Sequence, residues 1–155
     1  MRNSAVSRAA AQGIGLAIVA ILGTWLCVAA ARQPLDAATL LLSVSELRSQ
    51  ASEAEELLAR NSRQDVPERF TRAHLAQLQK NVYSVHESLA NASARPAVRA
   101  DSRSAARYAA ELETILTLWA DTGLTADAPD TAEGRLDGLK TRIVALENAL
   151  QAGAR

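Results

Sequence analysis

Cysteine is almost missing from these 155 residues: Cys27 stands alone. It can form no intrachain disulfide and no cysteine-based zinc site. Aromatic side chains are scarce as well, 3% of a chain that is 48% apolar. The apolar content is therefore aliphatic, with 33 Ala and 21 Leu. These are the strongest helix formers, whereas strands draw on β-branched and aromatic residues. An all-β fold is excluded. Excess charge is lacking too, 17 basic residues against 17 acidic. A nucleic-acid-binding surface shows a basic excess, so no nucleic-acid partner is expected.

The motifs of common chemistries are also missing. The sequence holds no HExxH, no pair of Glu-x-x-His segments, no haem-attaching CxxCH, no G-x-S-x-G elbow and no phosphate-cradling glycine loop. No catalytic, cofactor-binding or metal site is expected, and the chain does not read as an enzyme.

What is present begins at the N-terminus. Residues 1–12 carry Arg2 and Arg8 and no acid, and residues 13–31 then run nineteen positions without a charge or a proline. As a helix this run spans about 28 Å, close to the ~30 Å hydrocarbon core of a bilayer. The flanking arginines favour a cytoplasmic N-terminus and export of the remainder. Two readings compete. One is an uncleaved signal anchor over residues 13–31. The other is a secretory signal cleaved after Ala31, for which Ala29, Ala30 and Ala31 supply the small-residue pattern. The run exceeds the usual signal-peptide core, which favours the anchor. Cys27 is then a thiol within the membrane.

The exported part carries a charge of about −2, because Arg2 and Arg8 are the only charges before it. Its apolar residues fall into four runs with alternating steps of three and four. Leu40, Val44, Leu47, Ala51, Ala54 and Leu58 form the first. Leu75, Leu78, Val82, Val85, Leu89 and Ala92 follow. Ala105, Tyr108, Leu112, Ile115 and Trp119 make the third, and Ala132, Leu136, Leu139, Ile143, Leu146 and Leu150 the fourth. Such a repeat marks helices packed with a slight left-handed supercoil. Helices are predicted near 36–61, 66–93, 97–121 and 130–152. Asp36 caps the first, with Leu35 and Leu40 as a hydrophobic staple. Asp65 with Glu68, and Asp130 with Glu133, read as capping boxes for the second and fourth. Pro96 divides the second from the third. The expectation is all-α: a transmembrane helix at 13–31, a linker at 32–35, and an antiparallel up-down-up-down four-helix bundle over 36–155.

Few polar residues ask for a role beyond solvation. His74 and His86 fall at g and e of the second helix, on opposite flanks of its seam, and read as boundary residues. Glu55 with Glu56, and Glu111 with Glu113, read as helix surface. The arginines are more telling. Arg95, Arg99, Arg103 and Arg107 recur every four residues, a spacing at which like charges repel. In the expected topology they lie at the membrane end of the bundle, so Arg95, Arg99 and Arg103 are candidate contacts for lipid headgroups. The bland alternative pairs them with Glu46, Glu87 or Glu147. A second group, Arg60, Arg63, Arg69 and Arg72, brackets the turn at the far end. It is either neutralised by Asp121, Asp127, Asp130 and Glu133 or forms a site for an anionic ligand.

A basic N-terminus, one spanning segment and a four-helix extracytoplasmic bundle resemble the input half of bacterial chemoreceptors and sensor kinases. The resemblance implies the bacterial inner membrane with the bundle in the periplasm, and the one apolar run at 13–31 makes the expected protein single-pass. The expectation departs from that pattern, because no second spanning segment and no cytoplasmic output domain are read after the fourth helix. Two functions are expected to compete. One is an interaction or adaptor module whose partners are the membrane and another envelope protein or a second copy. Leu41, Leu42, Leu57, Leu116 and Val144, all outside the seam, support it. The other is a sensor input that binds a small anion through the distal arginines. If the N-terminal segment is cleaved, the product is a secreted periplasmic helical protein.

Overall fold

In the computed structural model, residues 34–63, 65–122 and 129–153 are described, without the side chains of 129–132. The described residues form four long helices: α1 (Ala37–Ser62), α2 (Glu68–Asn91), α3 (Arg99–Thr122) and α4 (Pro129–Gly153), with a short 3-10 turn (Pro96–Val98) leading into α3. The fold is all-helical, as the alanine and leucine content requires. Among the described residues no helix is long and apolar enough to cross a membrane. The spanning segment expected at 13–31 lies outside the described residues, and so do its cleavable alternative and Cys27. One compact unit covers Leu35–Arg155.

Within that unit the helices pack as a bundle. Each lies against its neighbours in the chain, α1 closes the ring against α4, and α1 also reaches α3 through the centre. Arg48 meets Glu147, and seven residues further along α1 Glu55 meets Lys140, seven residues earlier on α4. These two helices therefore run in opposite senses. Helices α1 and α2 do as well, since Glu53 meets His74 while Leu35 lies beside Ala94.

The first helix starts where its cap dictates. Asp36 is extended (φ −104°, ψ 176°), and its carboxylate accepts from the Thr39 N–H at 2.9 Å. The staple pair Leu35 and Leu40 is buried, at 7% and 0% exposure. Leu35 is also fixed through its backbone. Its N–H donates to the Ser93 carbonyl (2.7 Å), and its carbonyl accepts from the Arg95 N–H (3.1 Å). The chain leading into α1 is thus bonded to the α2–α3 connection.

The second helix departs from the capping box expected at Asp65 and Glu68. Glu68 is the first helical residue, Pro67 occupies the N-cap, and no side chain caps it. Proline holds φ near −65° and has no N–H to satisfy, so it stops the helix from extending back to Asp65. The carbonyl of Pro67 accepts from the N–H groups of Phe70 and Thr71 instead. The cap expected at Asp130 involves side chains outside the described set.

The core follows the predicted seams with two shifts. In α1 and α2 every expected seam residue is buried except Ala92, which is half-buried. In α3 the seam passes through Ala109 and Leu116, both fully buried, while Tyr108 is half-buried at its edge. A straight helix has 3.6 residues per turn, so a strict 3.5 repeat drifts by about 20° per heptad, enough to exchange neighbouring positions. In α4 the same drift turns Leu146 partly outward and brings Glu147 to 3% exposure. Leu57 and Leu116, outside the seam in the heptad frame, belong to the core as its flank.

Candidate functional site

Arg95, Arg99, Arg103 and Arg107 all lie exposed, the last three at successive turns of α3 beginning at its first residue. None is within ion-pair distance of a carboxylate among the described residues. The acids offered as intramolecular partners are engaged elsewhere or apart. Glu147 meets Arg48, Glu87 accepts from Asn91, and Glu46 is exposed. Two neighbours do interact with the stripe. The Asp36 carboxyl is held below its usual value chiefly by the Thr39 hydrogen bonds, with the Arg95 charge adding to the effect. The Arg107 guanidinium lies 5.6 Å from the Tyr108 ring centroid, in cation–π range.

This arrangement is locally unfavourable. A helix N-terminus carries the positive end of the macrodipole, and α3 sets cations there, with Asp101 the one acid of its first turn. Like charges at i, i+4 add repulsion. An anionic surface or ligand would relieve both.

The distal group is disposed differently. Arg60 donates twice to one oxygen of Glu56 (2.5 and 3.1 Å), and Arg72 pairs with Glu68 at 2.5 Å, each within its own helix. Arg60 and Arg72 are thus paired with acids one turn away, while of the neutralisers expected from the far loop Asp127 and the Asp130 side chain lie outside the described residues. Arg63 and Arg69 are exposed and unpaired among the described residues. An open depression of about 420 Å³ lies between Arg60, Arg63 and Val66, but Glu56 and Asp65 line it as well. Its charges largely cancel, which makes it a poor host for an anion. A second depression of about 360 Å³ between α1 and α4 is lined by Glu55, Glu133 and Asp137 among apolar residues.

The two histidines lie where their flanking positions put them. His74 Nε2 is 2.8 Å from Glu53 on α1, and His86 Nδ1 is 2.8 Å from Glu113 on α3. Each ties α2 to a different neighbour. Glu55 meets Lys140, Glu56 meets Arg60 and Glu111 meets Arg142 (2.7 Å), so three acids of the two surface pairs are in ion pairs and the fourth, Glu113, is at hydrogen-bond distance from His86. The Glu111 hydrogen bond raises the Arg142 pKa further. Arg142 also lies 5.3 Å from the Tyr108 ring centroid, which leaves that ring near two guanidinium groups. Among the described residues no group of three or more His, Cys, Asp or Glu could hold a metal ion.

The residues that periodicity missed are Arg48 and Glu147. Their signal was available in the spacing: Glu147 follows Ile143 by four, a seam step as good as the three that reaches Leu146. Of the apolar residues expected outside the seam, Leu42 is 72% exposed, while Leu41 and Val144 are half-buried. Phe70, Tyr83 and Leu118 are exposed on the other helices. No family model, curated protein or solved structure matches this chain.

Proposed function

We propose that this chain is a membrane-anchored interaction module that acts by contact rather than by catalysis. Residues 13–31 span the bacterial inner membrane once. An up-down-up-down four-helix bundle stands in the periplasm and docks another envelope protein or a second copy of the chain. The observation that carries this reading is the fixation of Leu35. Leu35 stands four residues after the apolar run ends, and it is buried with its backbone hydrogen-bonded on both sides. Four residues reach about 14 Å at most. A bundle tethered that closely to a spanning segment stays within that reach of the bilayer, which suits a docking module better than a freely diffusing binder. Leu42, on the outward side of α1, offers a partner an apolar contact.

The test has two parts. Full-length protein should stay with membranes through carbonate extraction, and its N-terminus should precede residue 13. A mature protein beginning at Arg32 would replace this reading with the secreted one. A photo-crosslinking residue at position 42 should then capture a discrete partner or a dimer in intact cells. The same residue at position 76, an exposed alanine on α2, serves as control. Equal capture at both positions would remove Leu42 as the docking contact.

A further inference from the structure

We infer that Arg95, Arg99 and Arg103 form a docking surface for the anionic phospholipid headgroups of the bilayer in which the chain is anchored, an inference that rests on the anchored reading above. Three observations converge on it. The arginines are exposed and lack a carboxylate at ion-pair distance among the described residues, although they crowd the positive end of a 24-residue helix. The Arg95 N–H is bonded to the carbonyl of Leu35. This places the start of the stripe at the residue where the chain joins the segment that carries the apolar run. The path from residue 31 to Leu35 is about 14 Å at most, comparable to the depth of a headgroup layer plus an arginine side chain.

The stripe is graded along the helix. Arg99 and Arg103 are separated by about 6 Å of helical rise, within reach of one surface for long side chains that extend towards it. Arg107 is one turn further away and lies over Tyr108, so it is assigned no lipid contact. Charge complementarity selects the occupant. A guanidinium fork matches a phosphodiester oxygen pair, and an anionic leaflet supplies many such groups without a built pocket. A second copy of the chain would have to offer an acidic face instead, and Glu55, Glu56, Glu68 and Glu111 are already held in ion pairs within the bundle; the last arm of the experiment below separates that case.

The experiment uses the full chain in lipid nanodiscs of phosphatidylcholine alone, or of phosphatidylcholine mixed with phosphatidylglycerol. Arginine modification by phenylglyoxal is followed site by site with mass spectrometry. Arg95, Arg99 and Arg103 should react about fivefold more slowly in the anionic discs, the factor expected for one basic residue near an anionic surface. High salt should cancel the difference by screening. Arg63 and Arg69, exposed at the other end, should react alike in both lipids. If the chain remains in the discs but the three arginines react equally in both lipids, the headgroup contact is wrong and the anchor stands. If the chain leaves the discs, both fall together, because the tether is what brings the stripe to the bilayer. Protection that ignores lipid charge and grows with the number of chains per disc would assign the stripe to a protein contact and overturn the proposal.

Discussion

The guanidinium of Arg48 lies 2.9 Å from the carboxylate of Glu147, whose side chain is only 4% exposed while that of Arg48 is 48% exposed. This is the charged contact of the apolar seam. It joins α1 to α4 at the level where the fourth helix would otherwise present leucine. The carboxylate oxygen facing Arg48 has no aligned hydrogen bond, so the pair rests on charge proximity alone.

Removing one partner and replacing the buried one should therefore have opposite effects. Arg48→Ala leaves a carboxylate in the seam without its counter-charge, and breaking a fully buried pair costs about 3–5 kcal/mol. Half of the Arg48 side chain is in water, so the expected loss is smaller, about 1–3 kcal/mol. Glu147→Leu exchanges a poorly bonded buried charge for an apolar side chain of similar size and should be neutral or stabilising. Urea midpoints of the two variants decide it. Equal losses from both would mean that the pair itself stabilises the bundle.

The core makes a second prediction. Leu112 and Ile143 are fully buried on α3 and α4. Replacing either with Asp puts an unpaired charge among aliphatic side chains, a cost no marginally stable domain of this size absorbs. Both variants should lose the helical circular dichroism signal. Leu112→Ala should remain folded with a loss of about 2–5 kcal/mol. Retention of full helicity by the Asp variants would place these residues outside the core.

Much of this bundle was legible from spacing because its determinants are local. Asp36 caps α1 through a hydrogen bond to a residue three positions away, and the runs from Leu40 and Leu75 need only helical periodicity. What escaped were choices between adjacent residues. Whether Leu146 or Glu147 faces inward, or Tyr108 or Ala109, depends on how far each helix has rotated against its neighbours, and a heptad frame does not carry that angle. The ion pairs were hidden for a similar reason. Glu55 pairs with Lys140, 85 positions away, and only the register between α1 and α4 brings them together. Of the candidate site, the clustering of arginines was readable, but the bond from Leu35 to Arg95 was not.

Acid should act on the start of α1 through Asp36. Its carboxyl lies below the ordinary aspartate value because it accepts from Thr39, with the Arg95 charge helping. A group whose folded pKa is depressed stabilises above its unfolded pKa, and that contribution is lost as pH falls through the folded value. Asp36→Asn keeps a side-chain oxygen for the cap but has no proton to gain. The variant should therefore lose less stability than the wild type between neutral pH and strongly acidic pH. Amide exchange at Thr39 should show the same difference locally. Parallel pH profiles for the two proteins would mean that Asp36 does not titrate as a cap.

The fourth helix contains the readiest gain in stability. Gly134 and Gly138 lie within α4, and a Cβ built on either would meet nothing within 4 Å. Glycine in a helix interior is about 0.8–1.0 kcal/mol less favourable than alanine, because the unfolded chain has more freedom to lose. Gly134→Ala and Gly138→Ala should each recover most of that amount, and their effects should add within a few tenths because the added methyl groups share no partner. The Arg142 Nε donates to the carbonyl of Gly138 at 3.2 Å, a backbone contact that alanine preserves. Thermal melts of the single and double variants should show stepwise increases in midpoint, with about 1 kcal/mol corresponding to 2–8 °C over the usual range of domain sizes. If Gly138→Ala instead lowers the midpoint, α4 must approach a surface that the isolated bundle does not show, such as a docked partner or a second copy.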